Sequence, residues 1–195
     1  MKSPFEQMLR LAKRKLEIVS VHNDPQDYGA AYCGFVDCLG PEGSRLRTFR
    51  RYGDPDGWFA FRLKDVLFLD TGGPFEHRIG YFAEREPRVP LCEELPPIKS
   101  GPIILGTLKQ AKALGLLVSV GMEGERHTLG GLIKDLSTTM LGVLEIDPYG
   151  TEGGMVTLPL DLVLHVSVGT QDCLMAQHLH AHQEEFLKFK QEHRK

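Results

Sequence analysis

The phrase FAFRLKDVLFLDTG at residues 59–72 returns as VTLPLDLVLHVSVG at residues 156–169. A chain that spells one hydrophobic pattern twice builds one supersecondary unit twice, which limits its fold more than any composition does. Each copy opens on alternating residues, breaks at Arg62–Asp65 or Pro159–Asp161, and ends in a second apolar run closed by glycine. Such alternation marks strands and puts Phe59, Phe61 and Leu63 on one face.

The match extends upstream. A shift of 97 positions carries Gly34-Phe35-Val36 onto Gly131-Leu132-Ile133, Leu46 onto Val143, Phe49 onto Ile146 and Tyr52-Gly53 onto Tyr149-Gly150. Nearer the start the shift is 99, carrying Ile18–Val21 onto Leu117–Val120 and Leu9, Ala12 and Lys13 onto Leu108, Ala111 and Lys112. Each unit therefore reads as a short helix followed by five strands. Ser3, Pro4 and Glu6 supply an N-cap, a first-turn proline and a capping-box partner for the first helix. The strands fall at about 16–21, 30–38 and 45–52, then the pair in the repeated phrase, with counterparts at 116–120, 128–136 and 141–147.

Residues 1–83 form the first unit and 103–169 the second. Between them, residues 84–102 hold five of the twelve prolines: Pro87, Pro90, Pro96, Pro97 and Pro102. Proline fixes φ and lacks an amide donor, so this segment reads as an extended connector, or as a long surface loop packed on a single domain. Residues 170–195 read as a C-terminal helix with Asp172 as N-cap and an apolar stripe of Met175, Leu179, His182, Phe186 and Phe189.

The fold class expected is mainly β with flanking helices: two tandem small barrels and a C-terminal helix. The stretch VSVGMEGERHTLGGLIKD (118–135) is similar to the first motif of the Sm-like family, a small open barrel. Gly124 stands at the turn, Gly130 or Gly131 at the bend of the curling strand, and Asp135 at the acidic position. The family's asparagine after that acid and its Arg-Gly pair before the last strand are missing; only Arg62 matches the pair. The resemblance implies the fold, and pairing of strand four of one unit with strand five of the next, but not the family's nucleotide pocket. A helix-free Src-homology or chromo-type barrel, and one larger antiparallel barrel or sandwich, are the structural alternatives.

A formal charge of −3 gives no global field for holding nucleic acid. No apolar run approaches the roughly 20 residues needed to cross a bilayer, and the N-terminus lacks a signal-peptide pattern, so the expectation is a cytoplasmic protein without membrane partners. Cys33, Cys38, Cys92 and Cys173 form neither a CxxC pair nor a disulfide framework. Asp54-Pro55-Asp56-Gly57 reads as a hairpin turn rather than a calcium loop. No nucleophile elbow or phosphate loop occurs, which argues against an enzyme.

Two clusters remain. Arg45, Arg47, Arg50, Arg51, Arg62 and Lys64, with Trp58 nearby, give unit one a cationic, aromatic face absent from unit two; such a face contacts phosphates and stacks on bases. Their alternative role is a solvated face balancing nearby carboxylates. His178, His182 and Glu185 share a helix face at spacings that can hold zinc; otherwise no cofactor is expected. The functional expectation is a non-catalytic binding or scaffolding protein that self-associates through barrel edges and binds RNA through the arginines. The alternatives are an adaptor docking a protein partner on the connector and C-terminal helix and, more remotely, a metal-dependent enzyme using the His-rich helix.

Overall fold

A computed structural model of the chain describes residues 3–25, 27, 29–85, 94–122 and 128–193. Gly124, Cys92, Pro87 and Pro90 lie outside the described residues. Helix α1 (Pro4–Lys15) precedes strands β1 (Ile18–His22), β2 (Tyr32–Leu39), β3 (Gly43–Phe49), β4 (Pro55–Arg62) and β5 (Phe68–Thr71), then α2 (Pro74–Arg85). Helix α3 (Ile103–Ala113) precedes β6 (Leu117–Met122), β7 (Leu129–Leu136), β8 (Met140–Ile146), β9 (Glu152–Pro159) and β10 (Val163–Val168), then α4 (Gln171–Ala181) and α5 (Gln183–Glu192).

The ten strands form one antiparallel sheet in the order β5-β1-β2-β3-β4-β10-β6-β7-β8-β9. This corrects the expected mainly-β fold: the chain is mixed, with five helices among the described residues, and its open sheet does not close into a barrel. The local repeat is nonetheless close. Adding 97 to the bounds of β2, β3 and β4 reproduces those of β7, β8 and β9. One-turn 3₁₀ helices at Leu63–Asp65 and Leu160–Leu162 occupy the breaks in the repeated phrase. The bulges repeat as well, between Val36 and Cys38 and between Ile133 and Asp135.

The bend glycines are Gly34 and Gly131. A Cβ on either would lie 2.1 Å from a carbonyl of the neighbouring strand, Arg47 in one half and Leu144 in the other, so no side chain fits. Gly130, the other bend candidate, would meet Ile146 O at 3.2 Å, a milder contact.

The helix starts divide between expectation and correction. Ser3 caps α1 through Glu6 N (3.1 Å), as its sequence predicts. The C-terminal helix breaks at His182 into α4 and α5, and Thr170 rather than Asp172 caps α4, its hydroxyl accepting from Cys173 N (3.2 Å). The expected stripe does not pack as one face: Met175, His182 and Phe189 are exposed and Leu179 and Phe186 half-buried, while Cys173 and Ala176 are buried against Leu117 and Ile146. That arrangement repeats α2, whose Ile79 is buried against Ile18 and Cys33. Helix α4 is thus the counterpart of α2 and closes the second half, rather than being a separate appendage.

Two main cores flank the middle of the sheet, and β4 feeds both. Phe59 and Phe61 pack with Leu9, Val19, Val21 and Leu46; Trp58 and Ala60 pack with Leu108, Val120, Leu141 and Val166. Four consecutive apolar residues, Trp58–Phe61, are what a strand buried on both faces requires. The described connector residues, 94–102, contain no strand and dock onto the protein: Leu95 is buried, and Ile98 N donates to Cys38 Sγ (3.1 Å).

Candidate functional site

The centre of the molecule is the joint between its halves. β4 and β10 pair antiparallel with Trp58 opposite Val168, Phe59 opposite Ser167, Ala60 opposite Val166 and Phe61 opposite His165. Polar ties reinforce the ladder. Asn23 Nδ2 donates to His165 Nδ1 (3.1 Å), Arg62 donates to the Asp161 carbonyl (2.6 Å), and Gln171 N donates to Asp56 Oδ1 (3.0 Å). Arg50 donates to the Gln171 side chain and lies 3.9 Å from Asp172.

His165 lies beside Phe59 and Tyr32, its ring centroid 5.2 and 5.6 Å from theirs. Burial lowers its pKa to about 4 against the opposing pull of Asp24 and Asp65. With Nδ1 accepting from Asn23, the ring carries its proton on Nε2, which is buried without a partner. Gly121 leaves room for this ring: a Cβ there would lie 2.2 Å from it.

The structure disperses the arginine cluster. Arg45 is fully buried: Nε donates to Asp37 (2.6 Å), Nη1 to Gln110 (2.7 Å) and Nη2 to the Pro96 carbonyl (2.9 Å). It fastens strand, connector and α3 together. Trp58 is buried in the core and has no face to offer a base. These placements remove Arg45 and Trp58 from the expected nucleic-acid face. Arg47 shares Arg45's side of the strand, as alternation requires, but meets Glu94 at 3.4 Å. Arg62 is engaged by Asp65 and Asp161. Arg51 and Lys64 are exposed. Arg50 and Arg51 line a cavity of about 350 Å³ whose walls include Phe49, Phe75, Ile79, Ser167 and Thr170.

The structure does not bring His178, His182 and Glu185 together. His178 and His182 stack at 4.3 Å, and His182 Nδ1 faces the His178 carbonyl (2.9 Å) where the helix breaks, so Glu185 sits on a separate helix. Among the described residues no three His, Cys, Asp or Glu side chains converge as a metal site. It is His180 that makes the tertiary contacts, to the Gly150 carbonyl (3.2 Å) and Glu152 (3.6 Å).

Cys33, Cys38 and Cys173 are buried and unbridged, and burial raises each thiol above its usual range. Such thiols are poor nucleophiles. Ser20 Oγ donates to Glu76 Oε1 (2.5 Å) and lies 3.2 Å from Cys33 Sγ, a buried chain that ties α2 to β1 and β2. No described helix is long and apolar enough to cross a membrane.

Sequence reasoning missed the joint and α2. The joint's signal was the unbroken apolar run at 58–61. For α2 it was the 97-residue shift itself, which continues past Gly72 and lays 74–85 on 171–182. Compared with known proteins, the sequence matches no family model and no curated protein, and the structure matches no solved structure.

Proposed function

We propose that this chain is a non-catalytic scaffolding protein made of two Sm-like open-barrel units that self-assembles through its sheet edges. One observation carries this reading: β4 and β10 pair within the chain, while their counterparts β9 and β5 are left as the two ends of the sheet. β9 is eight residues long and largely exposed, and an edge of that length invites pairing unless something covers it. Because the two free edges differ, joining them head to tail gives a closed ring, of which three chains would make a pseudo-sixfold version, or a filament. Light scattering across a concentration series tests this. The expected result is mass rising to a small multiple of the chain; a strict monomer at high concentration overturns it.

RNA binding is the second reading, favoured by the cavity that Arg51, and Arg50 with its ion-pair partner Asp56 (3.2 Å), line together with Phe49 and Phe75. Cations and rings lining one cavity suit a phosphate and a stacked base. Single-stranded RNA should then bind at low salt and weaken with added salt, and Arg51→Glu should abolish binding without loss of stability. Negligible low-salt affinity ends this reading and leaves the scaffold intact.

A further inference from the structure

We infer that the joint between copies follows the register of the internal joint but lacks its polar ties, so that it is a reversible version of a joint the chain makes permanently within itself. The inference rests on the self-assembly reading and adds its partner, its register and its strength.

The register follows from the repeat. Adding 97 to the β4 residues and subtracting 97 from the β10 residues converts the internal pairs into Leu158 opposite Phe68, Thr157 opposite Leu69, Val156 opposite Asp70 and Met155 opposite Thr71 of a second copy. Both strands present these residues at free edges, and Met155, Asp70 and Thr71 are exposed.

The same shifts show what the outer joint lacks. Arg50 and Asp172 become Asp147 and Phe75, so that ion pair has no equivalent. Asp56 and Gln171 become Gly153 and Pro74, removing the carboxylate and also the amide hydrogen it accepted. Arg62 and Asp161 become Pro159 and Lys64, and proline offers no side-chain donor. Asn23, by the shift of 99 that applies around the first strand, and His165 become Met122 and Phe68, an apolar pair.

One position goes further and opposes closure. Ser167, 7% exposed in the internal joint, corresponds to Asp70, whose side chain is 57% exposed beside His22 Nε2 at 3.1 Å. Closing the outer joint as the inner one is closed draws that carboxylate out of water opposite Val156, at a desolvation cost that a serine hydroxyl largely avoids. Main-chain pairing and apolar contact are left to hold copies together, with Asp70 working against them.

The full-length chain tests this through cysteine pairs on the exposed edge. Thr71→Cys with Met155→Cys should give chain-to-chain disulfides under mild oxidation, because directly opposed residues bring Cα atoms within about 4.5–5.5 Å. Thr71→Cys with Thr157→Cys, two residues out of register, should not. In the chain without added cysteines, Asp70→Ser should raise the association constant about tenfold, and 0.5 M salt, on the order of the strength that screens surface ion pairs, should leave association within about twofold. A strict monomer with no crosslink in any variant overturns self-assembly as a whole. Oligomers that crosslink only out of register, weaken in salt, or ignore Asp70→Ser overturn this inference alone.

Discussion

Arg45 illustrates how a charged residue on a strand can be misread when only its neighbours in sequence are known. Its guanidinium is held by Asp37, Gln110 and the Pro96 carbonyl, three groups far apart in the chain, and the side chain is itself fully buried, so it offers nothing to a ligand. Replacing it with methionine leaves Asp37 without its partner and should lower unfolding free energy by about 3–5 kcal/mol, whereas Arg51→Met should stay within about 0.5 kcal/mol. Urea unfolding of the two variants separates them; equal stabilities would mean that Arg45 is not a structural fastening. His165 makes a second residue-level prediction. Its folded pKa, near 4, lies below the ordinary value of 6.5, so the unfolded chain binds the proton more readily. Stability is therefore full above pH 6.5, falls as pH drops toward 4, and this contribution levels off below that. The loss is about 3 kcal/mol from the size of the shift. His165→Phe, which installs the residue the first half carries at Phe68, should remove this part of the acid sensitivity. Stability curves of both proteins from pH 7 to 4 that run parallel would refute it.

At the scale of elements, the sequence was most informative where periodicity coincides with repetition. Strands β2, β3, β7 and β8 lie within a few residues of their sequence-based positions, and Phe59, Phe61 and Leu63 share one core as alternation requires. The trailing helices were less legible for a physical reason: their buried face is made of small residues. Cys173 and Ala176 carry the packing of α4, and the large apolar residues that draw attention, Met175 and Phe189, point to solvent. Gly53 and Gly150, both at φ +78°, mark where these helices dock, because a Cβ would strike Phe82 in α2 or the His180 amide in α4. A residue can announce contact by having no side chain, and that signal is invisible until the partner's position is known. Helix α5 is different again, since none of its described residues is buried. Ending the chain after His182 should therefore change unfolding free energy by less than about 0.5 kcal/mol, while ending it after Gly169 uncovers Leu117 and Ile146 and should be strongly destabilising. Thermal unfolding of the two truncations measures the contrast; similar losses would show that α5 contributes to the fold.

For the whole molecule, the decisive question is whether two repeated halves behave as two folding units. Repetition with a proline-rich connector suggests two separate units, but the path of β4 argues against it. Its alternate residues enter different cores, Phe59 and Phe61 on one side, Trp58 and Ala60 on the other, so neither half can lose this strand without opening both. Arg45 adds a second tie by holding α3 and the connector to β3. The chain carries one tryptophan, Trp58, and it sits 5% exposed at this junction, a natural reporter of the joint itself. Its fluorescence and the far-UV circular dichroism of the whole chain should show one denaturant transition with coincident midpoints, as a two-state molecule requires. The stricter check uses mutations remote from the reporter. Leu9→Ala in the first core and Leu141→Ala in the second each remove a fully buried side chain, at a cost of about 2–5 kcal/mol. Under a single cooperative transition, each variant shifts the Trp58 signal and the circular dichroism together, although Leu9 and Trp58 belong to different cores. If Leu9→Ala produced a first transition in circular dichroism and left the Trp58 midpoint unmoved, the halves would be independent and β4 would merely touch both.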